Sequence, residues 1–274
     1  MLLVIPTIPL ILIIIASFFI LIFLILFFET KRLRIVSYTI KDHNIFKKKD
    51  NNYSGIKIVF FSDIHIGKHL KKKELNKKID YLKSLDADIY IFGGDLIGKN
   101  ITKYYSTKDI TDCFLPLTNK VCISVYGNHE YKPEKDTSTD TKIKYFEAMG
   151  FKILNNESFV FTKDNKSIEI FGMNDYIYHD AIIPNKKYDL VICHEGDIID
   201  KINNQIMLSG HTHGGQIRPP LIPLYYRPIN GKKYTHGIYN VNDSKLIVSN
   251  GFGYEFLKIR FNAPMEVLII DYIK

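Results

Sequence analysis

An α/β fold with its functional site along one rim of a buried sheet is the expectation for this chain, on three observations. Five apolar, β-rich runs recur, at residues 56–61, 89–92, 121–125, 190–193 and 206–208. Each is followed at once by Asp, Asn or His: Asp63-Ile64-His65, Gly94-Asp95, Asn128-His129-Glu130, His194-Glu195 and His211-Thr212-His213. Segments with apolar residues at helical spacing lie near 71–85, 107–117, 139–149 and 197–203. A continuous apolar run suits a strand buried on both faces. In open α/β sheets the chemistry gathers beyond the carboxyl ends of such strands.

From the N terminus, residues 10–28 are 19 residues without a charge, and residues 2–10 extend the run with only Pro6, Thr7 and Pro9 interrupting. About 20 apolar residues span a bilayer core as a helix. The segment has no basic start and no small-residue cleavage signal before Glu29, so it reads as an uncleaved single-pass anchor rather than a signal peptide. Lys31, Arg32 and Arg34 follow it, which by the positive-inside rule puts the remaining chain on the cytoplasmic face of the cell membrane. Residues 31–54 are polar and basic and read as a juxtamembrane connection, which leaves residues 55–274 for one α/β domain with a substantial core.

Within that domain, Leu75, Ile79, Leu82 and Leu85 recur at helical spacing and should pack on the sheet, with the lysines of the run from Lys68 to Lys78 on the outer face. Residues 159–161 and 168–171 flank Lys163-Asp164-Asn165-Lys166, a hairpin signal, and residues 237–241 and 245–249 flank Asn242-Asp243, another. Residues 218–234, rich in Pro and Tyr, form a loop after the last His motif. Leu221, Ile222, Leu224 and Tyr225 make it apolar enough for a lipid-facing lid or for a loop packed on the domain. Residues 267–272 close the chain as a strand. Cys113, Cys122 and Cys193 are an odd set without a disulfide framework and fit a reducing compartment.

The heptapeptide Gly210-His211-Thr212-His213-Gly214-Gly215-Gln216 carries the sharpest chemistry. Residues i and i+2 of an extended backbone point the same way, so both imidazoles can aim at one spot. Neutral imidazole is the commonest metal ligand, and the mixed oxygen and nitrogen donors of the other motifs suit one shared metal site. His43, His69, His179 and His236 match no motif and read as ordinary side chains, Glu130 and Glu195 as neighbours that need not coordinate, and Gln216 as a residue ordering the loop after His213.

Taken in order, D-x-H, G-D, G-N-H-E, H and G-H-x-H make residues 55–272 resemble the calcineurin-like metallophosphoesterases, and within them the membrane-anchored bacterial branch, whose last motif extends to G-H-T-H-G-G-Q. That resemblance implies a four-layer sandwich of two central mixed β-sheets flanked by helices. It implies two divalent metal ions, Mn2+ foremost and Fe, Zn or Co also admitted by the donors. Asp63, His65 and His213 would hold one ion, Asn128, His194 and His211 the other, and Asp95 would bridge them. His129 would be the catalytic histidine that meets the leaving oxygen. The stretch from Gly94 to Asn100 lacks the Arg of the protein-phosphatase branch, which counts against a phosphoprotein substrate. The tail from Gly251 to Glu266 resembles the branch's closing motif, with its usual Pro-Glu spaced to Pro264-Met265-Glu266.

The net charge is +8, but only five of the 37 basic residues are Arg: Arg32, Arg34, Arg218, Arg227 and Arg260. Arg suits bidentate phosphate contact, so Arg218 or Arg260 is the candidate for a second phosphate or a headgroup. No interleaved aromatics or recognised motif support nucleic-acid binding. Beside an anchor, the lysine run also suits anionic lipid. The combined reading is a membrane-anchored phosphoesterase acting on a phosphodiester or pyrophosphate of a lipid-linked or nucleotide-linked substrate, in its most specific form UDP-2,3-diacylglucosamine of a lipid A pathway. The alternatives are a general phosphodiesterase, a cell-envelope phosphoesterase, and a membrane-tethered scaffold with a structural metal site.

Overall fold

The computed structural model describes residues 7–220 and 227–274. The apolar part of the Pro/Tyr loop, with Leu221, Ile222, Leu224 and Tyr225, lies outside the described residues. Helix α1 (Thr7–Lys31) is long and apolar enough to cross a membrane: between Leu10 and Lys31 it holds an 18-residue window of mean hydropathy 3.5, none of it buried against the protein.

The chain then turns at once into β1 (Leu33–Lys41), β2 (Asn44–Lys47) and β3 (Ile56–Phe61). This corrects the expected connection over 31–54. Val36, Tyr38 and Ile40 alternate into the core, and β1 pairs in parallel register with the last strand over nine residues, from Leu33 opposite Met265 to Lys41 opposite Ile273. The alternation was in the sequence, masked by the surrounding lysines.

Helix α2 (Lys72–Ser84) leads to β4 (Ile89–Phe92), and the short α3 (Ile101–Tyr104) to α4 (Thr107–Phe114). Ser106 caps α4 by accepting from the Asp109 amide, and a 3-10 turn with Pro116 in its first positions replaces the expected last turn. Next come β5 (Val121–Ser124), the one-turn α5 (Asn128–Tyr131), α6 (Thr139–Glu147), capped by Ser138, and β6 (Lys152–Ile153). The hairpin of β7 (Glu157–Lys163) and β8 (Lys166–Gly172), then β9 (Leu190–Ile192), β10 (Ile206–Ser209), the hairpin of β11 (Gly237–Val241) and β12 (Ser244–Val248), and β13 (Met265–Ile273) complete the order. The segment near 197–203 is a 3-10 turn, Gly196–Lys201, rather than an α-helix.

Among the described residues the strands form two mixed sheets, ordered β2-β1-β13-β3-β4-β5-β6 and β11-β12-β10-β9-β8-β7. Ile58, Phe60, Ile89 and Ile91 of the first meet Ile170, Ile192, Leu208 and Ile247 of the second in a shared core. Leu75, Ile79 and Leu82 of α2, with Ile110, Phe114 and Phe146, cover the outer face of the first sheet through Val59, Phe61, Tyr90 and Phe92. Ile198, Ile199 and Ile202 cover the second on Val191, Met207 and Val248. Full burial of each such side chain contributes about 1.5–3 kcal/mol. Because β3, β4 and β5 are mutually parallel, and β9 and β10 likewise, five carboxyl ends lie along one rim.

One lysine departs from the expected solvated face. The ammonium of Lys78 turns inward, donates to the Phe252 carbonyl at 2.6 Å and lies 4.0 Å from the centre of the Phe252 ring.

Candidate active site

Each strand end delivers its residues through a tight loop, and the backbone there is unusual. Asp63, His65, Asp95, His211 and His213 all have positive φ, from +49° to +72°. For a residue other than glycine this region costs about 1–2 kcal/mol, and such strain gathers where side chains must be aimed. Two glycines make room for it. A Cβ on Gly127 would stand 2.4 Å from Asp95 Oδ1, and one on Gly210 would stand 2.3 Å from Asp63 Oδ2.

The aimed side chains converge in two groups. Asp63, His65 and His213 bring ligand-type atoms within 4.8 Å of one another, as do Asp95, His194 and His211. Asp95 Oδ2 faces both groups, 3.1 Å from His194 Nε2 and 3.6 Å from His65 Nε2. Asn128 lines the cleft beside Asp95 and His211. Neighbouring groups fix these orientations. Asp95 Oδ1 accepts from the His129 amide at 2.8 Å, and Asp63 accepts from the His211 amide at 3.0 Å. His194 Nδ1 and His211 Nε2 each lie 2.7 Å from a backbone carbonyl, of Gly93 and Ile229, so their other nitrogens are left as electron-pair donors. Glu130 does not coordinate. It accepts four backbone N–H bonds, from Asp95, Leu96, Ile97 and Gly127, and clamps the loop after β4 to the loop after β5.

This donor set fits a pair of divalent cations. Asn128 Oδ1 is buried without a hydrogen-bond partner, which is costly unless something shares it. His65 Nε2 and His213 Nε2 stand 3.0 Å apart. Burial pushes His65 down to about 4 and His211 to about 3, and holds His213 well below its ordinary value, so these imidazoles stay neutral, the form that binds metal. Asp63 and Asp95 are no more than 2% exposed, and although burial opposes a charge on His194, the Asp95 carboxylate outweighs it and holds that ring well above its ordinary value, a place where positive charge is favoured.

His129 stands at the edge of this cluster with its side chain 13% exposed, lining a cleft of 270 Å³ together with Lys132, Tyr178 and Arg227, and a second of 370 Å³ with Lys68 and Lys99. Burial opposes a charge on His129. The carboxylates of Asp95 and Glu255 outweigh it and, while they carry full charge, raise His129 to about 9.

The two arginines chosen for phosphate contact are elsewhere. Arg260 is fully buried, and its five N–H donors have carbonyls of Gly253, His213, Ala263 and Asn250 to meet them. It supports the backbone of His213 and has no donor left for a ligand. Arg218 donates to the Asn262 carbonyl at 2.6 Å and lines neither cleft. Arg227 lines the cleft in their place. The sequence favoured over it Arg218, five residues after His213, and Arg260, within the tail motif. Glu255, whose side chain touches His65 and His129, was also missed. The tail's Glu266 is structural: it is 2% exposed, binds Arg34 and accepts from the Asn250 amide.

A two-sheet α/β sandwich with a carboxylate and imidazole cluster of this kind on its rim defines a metal-dependent phosphoesterase. The chain belongs to the calcineurin-like phosphoesterase family, whose description matches residues 56–215. It is 28% identical over 257 residues to the metallophosphoesterase YkuE of Bacillus subtilis, covering 89% of this chain and 86% of that one. It is 24% identical over 235 residues to the phosphodiesterase YaeI of Escherichia coli, covering 81% and 84%. Among solved structures, the nuclease MPE of Pseudomonas putida is similar over 77% of this chain and 78% of its own, at 14% identity and a TM-score of 0.36.

Proposed function

We propose that this phosphoesterase is anchored in the cell membrane by α1, with its catalytic domain on the cytoplasmic face, and hydrolyses a phosphodiester or pyrophosphate carried by a lipid, UDP-2,3-diacylglucosamine being the most specific candidate. One observation carries the reading: the end of the apolar helix is joined directly to the wall of the metal cleft. Thr30 Oγ1 accepts from the Arg260 amide at 2.9 Å, Tyr254 Oη donates to the Thr30 carbonyl, and the Arg260 side chain holds His213. Between helix and cleft the loop presents Phe256 and Leu257, 57% and 54% exposed. A substrate whose tail stays in the bilayer would find the site at the bilayer's edge.

In this reading Asp63, His65 and His213 hold one divalent ion and Asn128, His194 and His211 the other, with Asp95 between them. When bound, the ions activate water and neutralise charge at phosphorus. Mn2+ suits the donors, and Fe, Zn and Co fit them too. Lys132 and Arg227 orient the phosphate from the cleft wall, and His129 holds a proton for the leaving oxygen. The test is full-length protein with Mn2+ in lipid nanodiscs, supplied with UDP-2,3-diacylglucosamine or with soluble bis-p-nitrophenyl phosphate. A kcat/KM at least about a hundredfold higher on the lipid is expected, on the order of 3 kcal/mol of added transition-state binding. Preference for the soluble ester would favour a general phosphodiesterase, a reading the similarity to YaeI supports. A topology reporter at Lys274 placing the domain outside would favour an envelope substrate.

A further inference from the structure

We infer that Glu255 is an additional ligand of the metal centre, shared with His129. The inference rests on the two-ion reading above. Glu255 belongs to none of the five motifs. It stands on the loop between β12 and β13, yet its side chain is only 6% exposed and reaches the middle of the cluster. One carboxylate oxygen, Oε2, lies 3.2 Å from His65 Nε2 and 3.8 Å from His213 Nε2, the two imidazoles grouped with Asp63. The other, Oε1, lies 3.2 Å from His129 Nε2. One carboxylate therefore faces both the first ion's donors and the catalytic imidazole.

The approach is built rather than incidental. Gln216, last residue of the heptapeptide, accepts from the Glu255 amide at 2.8 Å through Oε1 and donates to the Leu257 carbonyl at 2.9 Å through Nε2. The side chain that ends the histidine motif thus grips the Glu255 loop at two points. Arg260 grips it from the other side, through two bonds to the Gly253 carbonyl. Both ends of the loop are fixed to residues adjoining His213, so the carboxylate is carried with the ligand set.

A third carboxylate beside Asp63 and Asp95 adds negative charge and an oxygen donor to the first ion's surroundings. It favours oxygen-loving divalent ions such as Mn2+ over softer ones. Through Oε1 it also keeps the His129 ring turned toward the cluster, and in that second role it is a positioning residue.

The test is Mn2+ titration by calorimetry on the full-length metal-free protein, wild type against Glu255→Gln and Glu255→Ala, with the thermal midpoint of each before and after Mn2+ is added. Wild type should take two ions. Both variants should bind one of them at least about tenfold more weakly. On adding Mn2+ their thermal midpoints should rise less than that of wild type, whatever the metal-free midpoint, which loses the contacts of Glu255 with His65 and His129. Glu255→Asp, with the charge but a shorter reach, should recover part of the affinity. Two ions bound at wild-type affinity by Glu255→Gln would overturn the assignment, as would a rise in midpoint on adding Mn2+ that is unchanged in both variants. Fewer than two ions in wild type would overturn the two-ion reading itself and this assignment with it.

Discussion

Gly210 is where the loop after β10 meets the loop after β3. Its Cα hydrogen faces the carboxylate of Asp63, and an added methyl group would fall 2.3 Å from Oδ2 and 2.4 Å from Ser62 Oγ. Gly210→Ala must therefore push Asp63 away from His65 and His213. A displacement near 1 Å at a reacting centre costs on the order of a hundredfold in rate. We expect kcat/KM to fall by about that factor and Mn2+ affinity by about tenfold, read by steady-state kinetics and calorimetry. Wild-type values in the variant would mean that the loops tolerate the extra atom. Which group would press on Gly210 was not legible in the sequence. The convergence of Asp63, His65, Asp95, His194, His211 and His213 was legible, because each of their motifs follows on an apolar run. Glu255 follows none, and only the folded loop brings it to His65. Arg260 misled for the opposite reason: an arginine near a phosphate site invites a binding role, and burial with carbonyls on every side is invisible in composition.

Helix α2 shows the same limit in an element. Its inward stripe of Leu75, Ile79 and Leu82 was readable from spacing, and so were the hairpins, from their turn residues. Lys78 was read as solvated with its neighbours, but its ammonium is enclosed by Phe252 and Met265. Burial, reinforced by the nearby charge of Arg260, pulls Lys78 from 10.5 to about 7. The sign of the consequence follows from proton counting. Between about pH 7 and 10.5 the unfolded chain carries the proton on this lysine and the folded chain does not. Stability therefore rises with pH across that window, and it is the neutral-pH protein that bears the burial penalty. Lys78→Met should flatten the rise, measured by urea unfolding at several pH values between 7 and 10. An unchanged slope would place the titration elsewhere.

The molecule as a whole is divided differently from the expected anchor, connection and domain. β1 lies between β2 and β13 and is hydrogen-bonded along its length, so the catalytic sheet begins at Leu33. A chain begun at Arg32 should be soluble, unfold cooperatively and bind Mn2+. A chain begun at Gly55, the expected domain boundary, would leave the nine-residue flank of β13 open as a long apolar edge and should aggregate. Size-exclusion chromatography and circular dichroism of the two would decide it, and a folded, monomeric product from Gly55 would refute the dependence. The two-sheet architecture and the rim position of the site were foreseeable from the parallel apolar runs. The extent of the sheet was not, since a strand of mixed residues is recognised by the partner it finds.

Only Arg32 separates the last helical residue from the first residue of β1. With α1 in a bilayer, such a joint is a bracket and not a leash: it fixes the height and tilt of the cleft above the headgroups. An enzyme mounted in this way meets tethered molecules by lateral diffusion in two dimensions, so its turnover would follow the surface density of substrate in the membrane more than the bulk concentration. A flexible insert between Lys31 and Leu33 would leave the chemistry intact and let the cleft wander from that surface.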